Sequence, residues 1–92
     1  MEKYTDENVQ FQLKDLKDWQ FIGNAIEKKF KFLDFTQALG FIVQVGLMAE
    51  KRNHHPELFN VYNKLSIRLN THDADGVTEK DFDLAKAIDK IS

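Results

Sequence analysis

The 92-residue chain sets 13 Lys and Arg against 15 Asp and Glu, for a formal net charge of −2, and contains three histidines and no cysteine. Charges this evenly mixed argue against a concentrated basic face for nucleic acid, and the missing thiols exclude disulfides and thiolate chemistry. The length suits one domain, residues 1–92, with eight phenylalanines and one tryptophan for its core, and the start Met1-Glu2-Lys3-Tyr4 is polar. No run reaches the roughly 18 apolar residues of a membrane span, so a soluble, cytoplasmic protein with no membrane contact is expected.

Thr5 to about Lys14 reads as a short helix, with Val9, Leu13 and Leu16 as a partial apolar stripe and Asp6 and Glu7 near its positive end. Trp19-Gln20-Phe21-Ile22 and Ala25 through Phe32 read as strands joined by Gly23-Asn24, a two-residue hairpin signal. In the second strand Ile26, Phe30 and Phe32 alternate with Glu27, Lys29 and Lys31, which predicts one wet face.

Asp34-Phe35-Thr36-Gln37 has capping-box spacing, and the helix it opens is expected to run to about Arg52. Phe35, Ala38, Leu39, Ile42, Val45 and Ala49 form its expected core stripe. Phe41, Val43, Leu47 and Met48 fall outside that stripe, either as the margin of one wide buried face or as a second face for self-association. Lys51 and Arg52 suit the negative end of the helix dipole, and Asn53 suits a left-handed cap. Pro56 biases His55 away from helical geometry, so the His54-His55 pair should sit just past the helix end.

From Phe59 to Thr71 the pattern predicts a strand pair or one bent strand, turning near Tyr62-Asn63-Lys64. Phe59, Val61, Leu65, Ile67 and Leu69 are expected on one face, opposite Ser66, Arg68 and Asn70. Thr78 can cap a last helix with Asp81 at its third position and Phe82, Leu84, Ala85, Ile88 and Ile91 as its apolar positions. The order predicts an α+β fold: a two-layer ββαββα core with an extra N-terminal helix, its antiparallel four-stranded sheet covered by helices on one face.

Two motifs carry the chemistry, His54-His55-Pro56-Glu57 and Asn70-Thr71-His72-Asp73. Imidazole, with an ordinary pKa of about 6.5, gives or takes a proton near neutrality. A three-histidine metal site is the competing reading. Neighbouring ligands 54 and 55 are awkward on one ion, and there is no helical His-x-x-x-His pair and no Cys partner.

The run Ala49-Glu50-Lys51-Arg52-Asn53-His54-His55-Pro56-Glu57, then Phe59-Asn60-Val61-Tyr62-Asn63-Lys64, then Thr71-His72, Gly76 and Asp81, closely resembles the pterin-4a-carbinolamine dehydratase family. Phe32-Leu33-Asp34-Phe35 and Gly40-Phe41 fit the same pattern, and the likeness extends from about Trp19 to Ile88. Leu58 departs from it, standing where members carry tryptophan, which puts one pocket wall in question.

The resemblance implies a cofactor-free, metal-free dehydration of a 4a-hydroxytetrahydropterin to quinonoid dihydropterin, in support of pterin recycling for aromatic amino acid hydroxylases. By position, His54, His55 and His72 fall on the family's active-site histidines, and Glu50 and Asp81 on its supporting acidic positions. Following the family, His54 and His72 are expected to transfer protons, while His55, Pro56 and Glu57 bind and orient substrate; interchange of the roles of His54 and His55 stays open. Glu50 is also explained as a solvated helix residue and Asp81 as a dipole-favoured one. Tyr62 and Phe59 are expected in the core or sheet rather than stacked on a pterin. The charge balance leaves no direct contact with nucleic acid expected, and the resemblance further implies a homodimer or homotetramer and, as the alternative function, a dimerisation or coactivator module that binds a transcription factor through the long helix.

Overall fold

Gly23 and Asn24 both take positive φ, 55° and 67°, the left-handed pair that closes a two-residue hairpin, and Ile22 pairs with Ala25 across them. The computed structural model describes residues 2–92. In chain order these form α1 (Asp6–Leu13), β1 (Gln20–Ile22), β2 (Ala25–Lys31), α2 (Phe35–Arg52), β3 (Glu57–Val61), β4 (Lys64–Leu69), a 3-10 turn (His72–Ala74) and α3 (Glu79–Ile91). The strands make one antiparallel sheet in the order β1-β2-β4-β3. This is the expected α+β fold.

The sheet presents Ile26, Leu65, Ile67 and Leu69 to a core completed by Val9 of α1, Phe41, Val45 and Ala49 of α2, and Phe82, Leu84, Ala85 and Ile88 of α3. Local chemistry sets the helix ends as the spacing predicts. The Asp34 side chain accepts from the Gln37 N–H at 2.9 Å, while the Gln37 side chain reaches one residue further back, to the Leu33 N–H at 2.7 Å. Thr78 and Asp81 form a complete capping box at α3. No described helix is long and apolar enough to cross a membrane.

Two expectations about faces are corrected. On α2 the buried residues are Ala38, Phe41, Val45 and Ala49, with Ile42 and Met48 packed beside them, whereas Phe35 and Leu39 join Val43 and Leu47 in an exposed stripe. The Phe41 ring packs 5.1 Å from Phe30 on β2 and from Phe32 just past its end, and with Ala38, Val45 and Ala49 it forms the arc of this apolar-rich helix that turns inward. In the β3–β4 hairpin Phe59 pairs with Ser66 and Val61 with Lys64, while Leu58 pairs with Ile67. Phe59 and Val61 therefore lie on the outer, helix-free face. A two-residue turn always pairs odd positions with even ones, so a parity carried straight through Tyr62-Asn63 ends on the wrong side. Ile91 is also more exposed than its spacing suggests, at the end of α3.

Candidate active site

α2 ends where Asn53 adopts the left-handed conformation, φ 49° and ψ 42°. Its N–H and that of His54 close onto the carbonyls of Glu50 and Ala49, both at 3.1 Å. The chain then leaves as the extended His54-His55-Pro56 link into β3. Across from it, β4 runs out at Leu69, and Thr71 and Gly76 exchange backbone bonds of 2.8 and 3.4 Å, closing a loop that carries His72. Four element ends thus border one cavity of about 360 Å³, lined by Asn53, His54, His55, Pro56, Glu57, Asn70, Thr71, His72, Asp73 and Lys80. The three histidines, drawn from two separate motifs, share it.

His54 is the most constrained of the three. Its ring is buried, and Nε2 lies 2.6 Å from Oδ1 of Asp81, which has no exposed surface. The other Asp81 oxygen accepts from the Thr71 hydroxyl at 2.9 Å and from the Thr78 N–H at 2.8 Å. Since an ionised carboxylate only accepts, His54 Nε2 must carry the hydrogen, and Nδ1 is the nitrogen left for other chemistry. The Thr71 hydroxyl donates to Asp81, so it accepts from Thr78 Oγ1 at 2.7 Å. Among the described residues no buried side-chain nitrogen or oxygen lacks a partner. The one carboxylate therefore both caps α3 and holds the His54 ring.

His55 points elsewhere, with Nε2 2.7 Å from Glu50 Oε1 on the exposed rim. Glu50 is thus a partner of a cavity histidine as well as a solvated helix residue. His72 is exposed, and no side-chain bond to it is found among the described residues. Pro56 and Glu57 line the cavity, while Leu58 lies outside its lining.

Several lining residues have no individual part in the expected site: Asn53, Asn70, Asp73 and Lys80, and Thr71 within the Asp81 network. Thr71 stands beside His72 in the motif, but a threonine's bond to a carboxylate ten positions later leaves no periodic trace. A second trough, of about 410 Å³ between Lys29, Lys31, Phe59, Val61 and Lys64, lies on the outer sheet face and holds no imidazole. The smaller, more polar cavity is the one that gathers the three imidazoles.

Residues 2–91 match the family described as pterin 4 alpha carbinolamine dehydratase. A protein of Rhizobium johnstonii with a provisional pterin-4-alpha-carbinolamine dehydratase name is 51% identical over all of this chain and 93% of its own length. One of Burkholderia orbicola, named in the same provisional way, is 47% identical over 95% of this chain and 87% of its own. A crystal structure from Brucella melitensis, described as a transcriptional coactivator/pterin dehydratase, superposes with a TM-score of 0.93 at 42% identity, covering 97% of each chain. With the fold, the shared cavity and these likenesses in agreement, the chain belongs to the pterin-4a-carbinolamine dehydratase family.

Proposed function

We propose that the protein is a hydro-lyase that converts a 4a-hydroxytetrahydropterin to quinonoid dihydropterin and water by histidine acid–base catalysis. The meeting of His54, His55 and His72 around one cavity supports this reading most strongly. The reaction breaks the C4a–O bond. The departing oxygen takes up a proton, the neighbouring ring N–H releases one, and no electrons are exchanged. Imidazoles suit both transfers near neutrality better than carboxylates at about pKa 4 or lysines at about 10.4.

His54, fixed by Asp81 with its hydrogen on Nε2, offers Nδ1 as the base for the ring N–H. His72, across the cavity, supplies the proton to the leaving oxygen. His55 and its neighbours Pro56 and Glu57 bind and orient the heterocycle, with Glu50 steadying the His55 ring. Each positioned proton-transfer group is typically worth about 10²–10⁴-fold in rate. The cellular role that follows is regeneration of a pterin spent by an aromatic amino acid hydroxylase, in the cytoplasm.

Purified, chelator-treated protein should accelerate loss of the 4a-hydroxyl from enzymatically generated hydroxypterin. A rate equal to the uncatalysed one overturns the reading. A second reading, that α2 binds copies of the chain or another protein, is favoured by the exposed stripe Phe35, Leu39, Val43 and Leu47. It also draws on the coactivator description of the Brucella protein. Under that reading polar substitutions in the stripe abolish association, while the histidines can be replaced without loss.

A further inference from the structure

We infer that Asn24, at the tip of the β1–β2 hairpin, and Lys3, in the N-terminal segment, are positioning residues that clamp the loop carrying His72; the inference rests on the proton-transfer role proposed for that histidine. Two of the three cavity histidines have a carboxylate to orient them, Asp81 for His54 and Glu50 for His55. His72 has no such partner among the described residues, so its ring is placed by its backbone. That backbone is held from outside the cavity. The Asp75 N–H donates to the His72 carbonyl at 3.1 Å. The Asp75 carbonyl in turn accepts from Asn24 Nδ2 at 2.9 Å and from Lys3 Nζ at 3.5 Å.

The fit around this junction is tight. Tyr4 lays the N-terminal segment alongside the loop through its N–H to the Val77 carbonyl at 2.8 Å. Its ring sits 5.6 Å from that of Phe82. A Cβ added at Gly76 would fall 2.7 Å from Lys3 Cδ and 3.3 Å from Asn24 Oδ1. A methyl group there would thus push on both arms of the clamp. Asn24 meets two demands at once: its positive φ closes the hairpin and its amide reaches the loop. His54 is held from α3 by Asp81, whose other oxygen accepts from the Thr71 hydroxyl beside His72, so a loosened clamp should disturb His72 far more than His54. A displacement near 1 Å at a reacting group costs up to about 10²-fold in rate.

The experiment compares wild type with Asn24→Gly, which keeps the turn and removes the donor, and with Gly76→Ala. It follows kcat, KM for the hydroxypterin, and the imidazole NMR signals of His54 and His72. The expected result is a kcat lowered about tenfold with KM within about twofold, His72 signals shifted or broadened, and His54 signals far less affected. Unchanged kcat and His72 signals in Asn24→Gly overturn the clamp, as does an equal disturbance of both rings. Should wild type show no dehydratase activity, the NMR comparison still decides: a selective change at His72 supports the clamp while the catalytic reading fails, and no change there overturns it.

Discussion

His54 and Asp81 stand 27 residues apart in the chain and 2.6 Å apart in the fold. The carboxylate between them also completes the cap of α3. The cap of the last helix and the orientation of the buried imidazole therefore share one carboxylate. Replacing Asp81 by Ala strips the acceptor from the His54 ring, the Thr71 hydroxyl and the Thr78 N–H in a buried setting. The expected loss is about 3 kcal/mol or more, which lowers the melting temperature of a domain this size by roughly 12 °C or more. Calorimetric unfolding checks it, and a loss under about 1 kcal/mol would show that the network carries little stability.

His72 and His54 should separate stability from activity. His72→Ala removes an exposed ring with no side-chain bond among the described residues, so stability should move by less than about 0.5 kcal/mol, while the dehydration rate falls by about 10²-fold or more. His54→Ala should lower both, because it leaves Asp81 Oδ1 buried without its donor. Denaturant titration beside the rate assay distinguishes the two patterns; full activity in His72→Ala removes its assigned role.

Glu50 and His55 form an exposed pair, worth about 0–1 kcal/mol. Glu50→Ala should leave the unfolding midpoint nearly unchanged and weaken pterin binding, raising KM more than it lowers kcat. Steady-state kinetics at several pterin concentrations provide the check, and a large fall in kcat at constant KM would move His55 into the proton-transfer step.

Much of this arrangement is legible in the sequence, because the signals are local. Gly23-Asn24 marks its hairpin, Asp34 and Thr78 mark helix starts, and Asn53 before His54 marks where α2 must stop. The choice of face was not legible on α2, since apolar side chains nearly encircle it and the inner arc is set by tertiary contacts such as those of Phe41 with Phe30 and Phe32. Parity failed at Phe59 and Val61, where the two-residue turn exchanges odd and even faces. At the site, histidine identity and spacing pointed to the three rings. The pairing of His54 with Asp81 and of His55 with Glu50 depends on how α2, β3 and α3 converge, which no short window of sequence encodes.

The corrected face of α2 carries its own prediction. Val43→Glu or Leu47→Glu alters exposed positions and should change stability by less than about 0.5 kcal/mol while shifting any assembly toward smaller species in light scattering. Phe41→Ala opens the core and should cost about 3–5 kcal/mol. Unaltered assembly in both glutamate variants would show that this stripe is not the contact.

Three imidazoles around one cavity should act on a single pterin, and a crystal structure with a bound dihydropterin analogue decides the matter. The heterocycle should be seated between the His54-His55 pair and His72, with His54 Nδ1 within about 3.2 Å of a ring nitrogen. An analogue bound instead in the trough beside Phe59 and Lys64, with the histidine cavity empty, would contradict it.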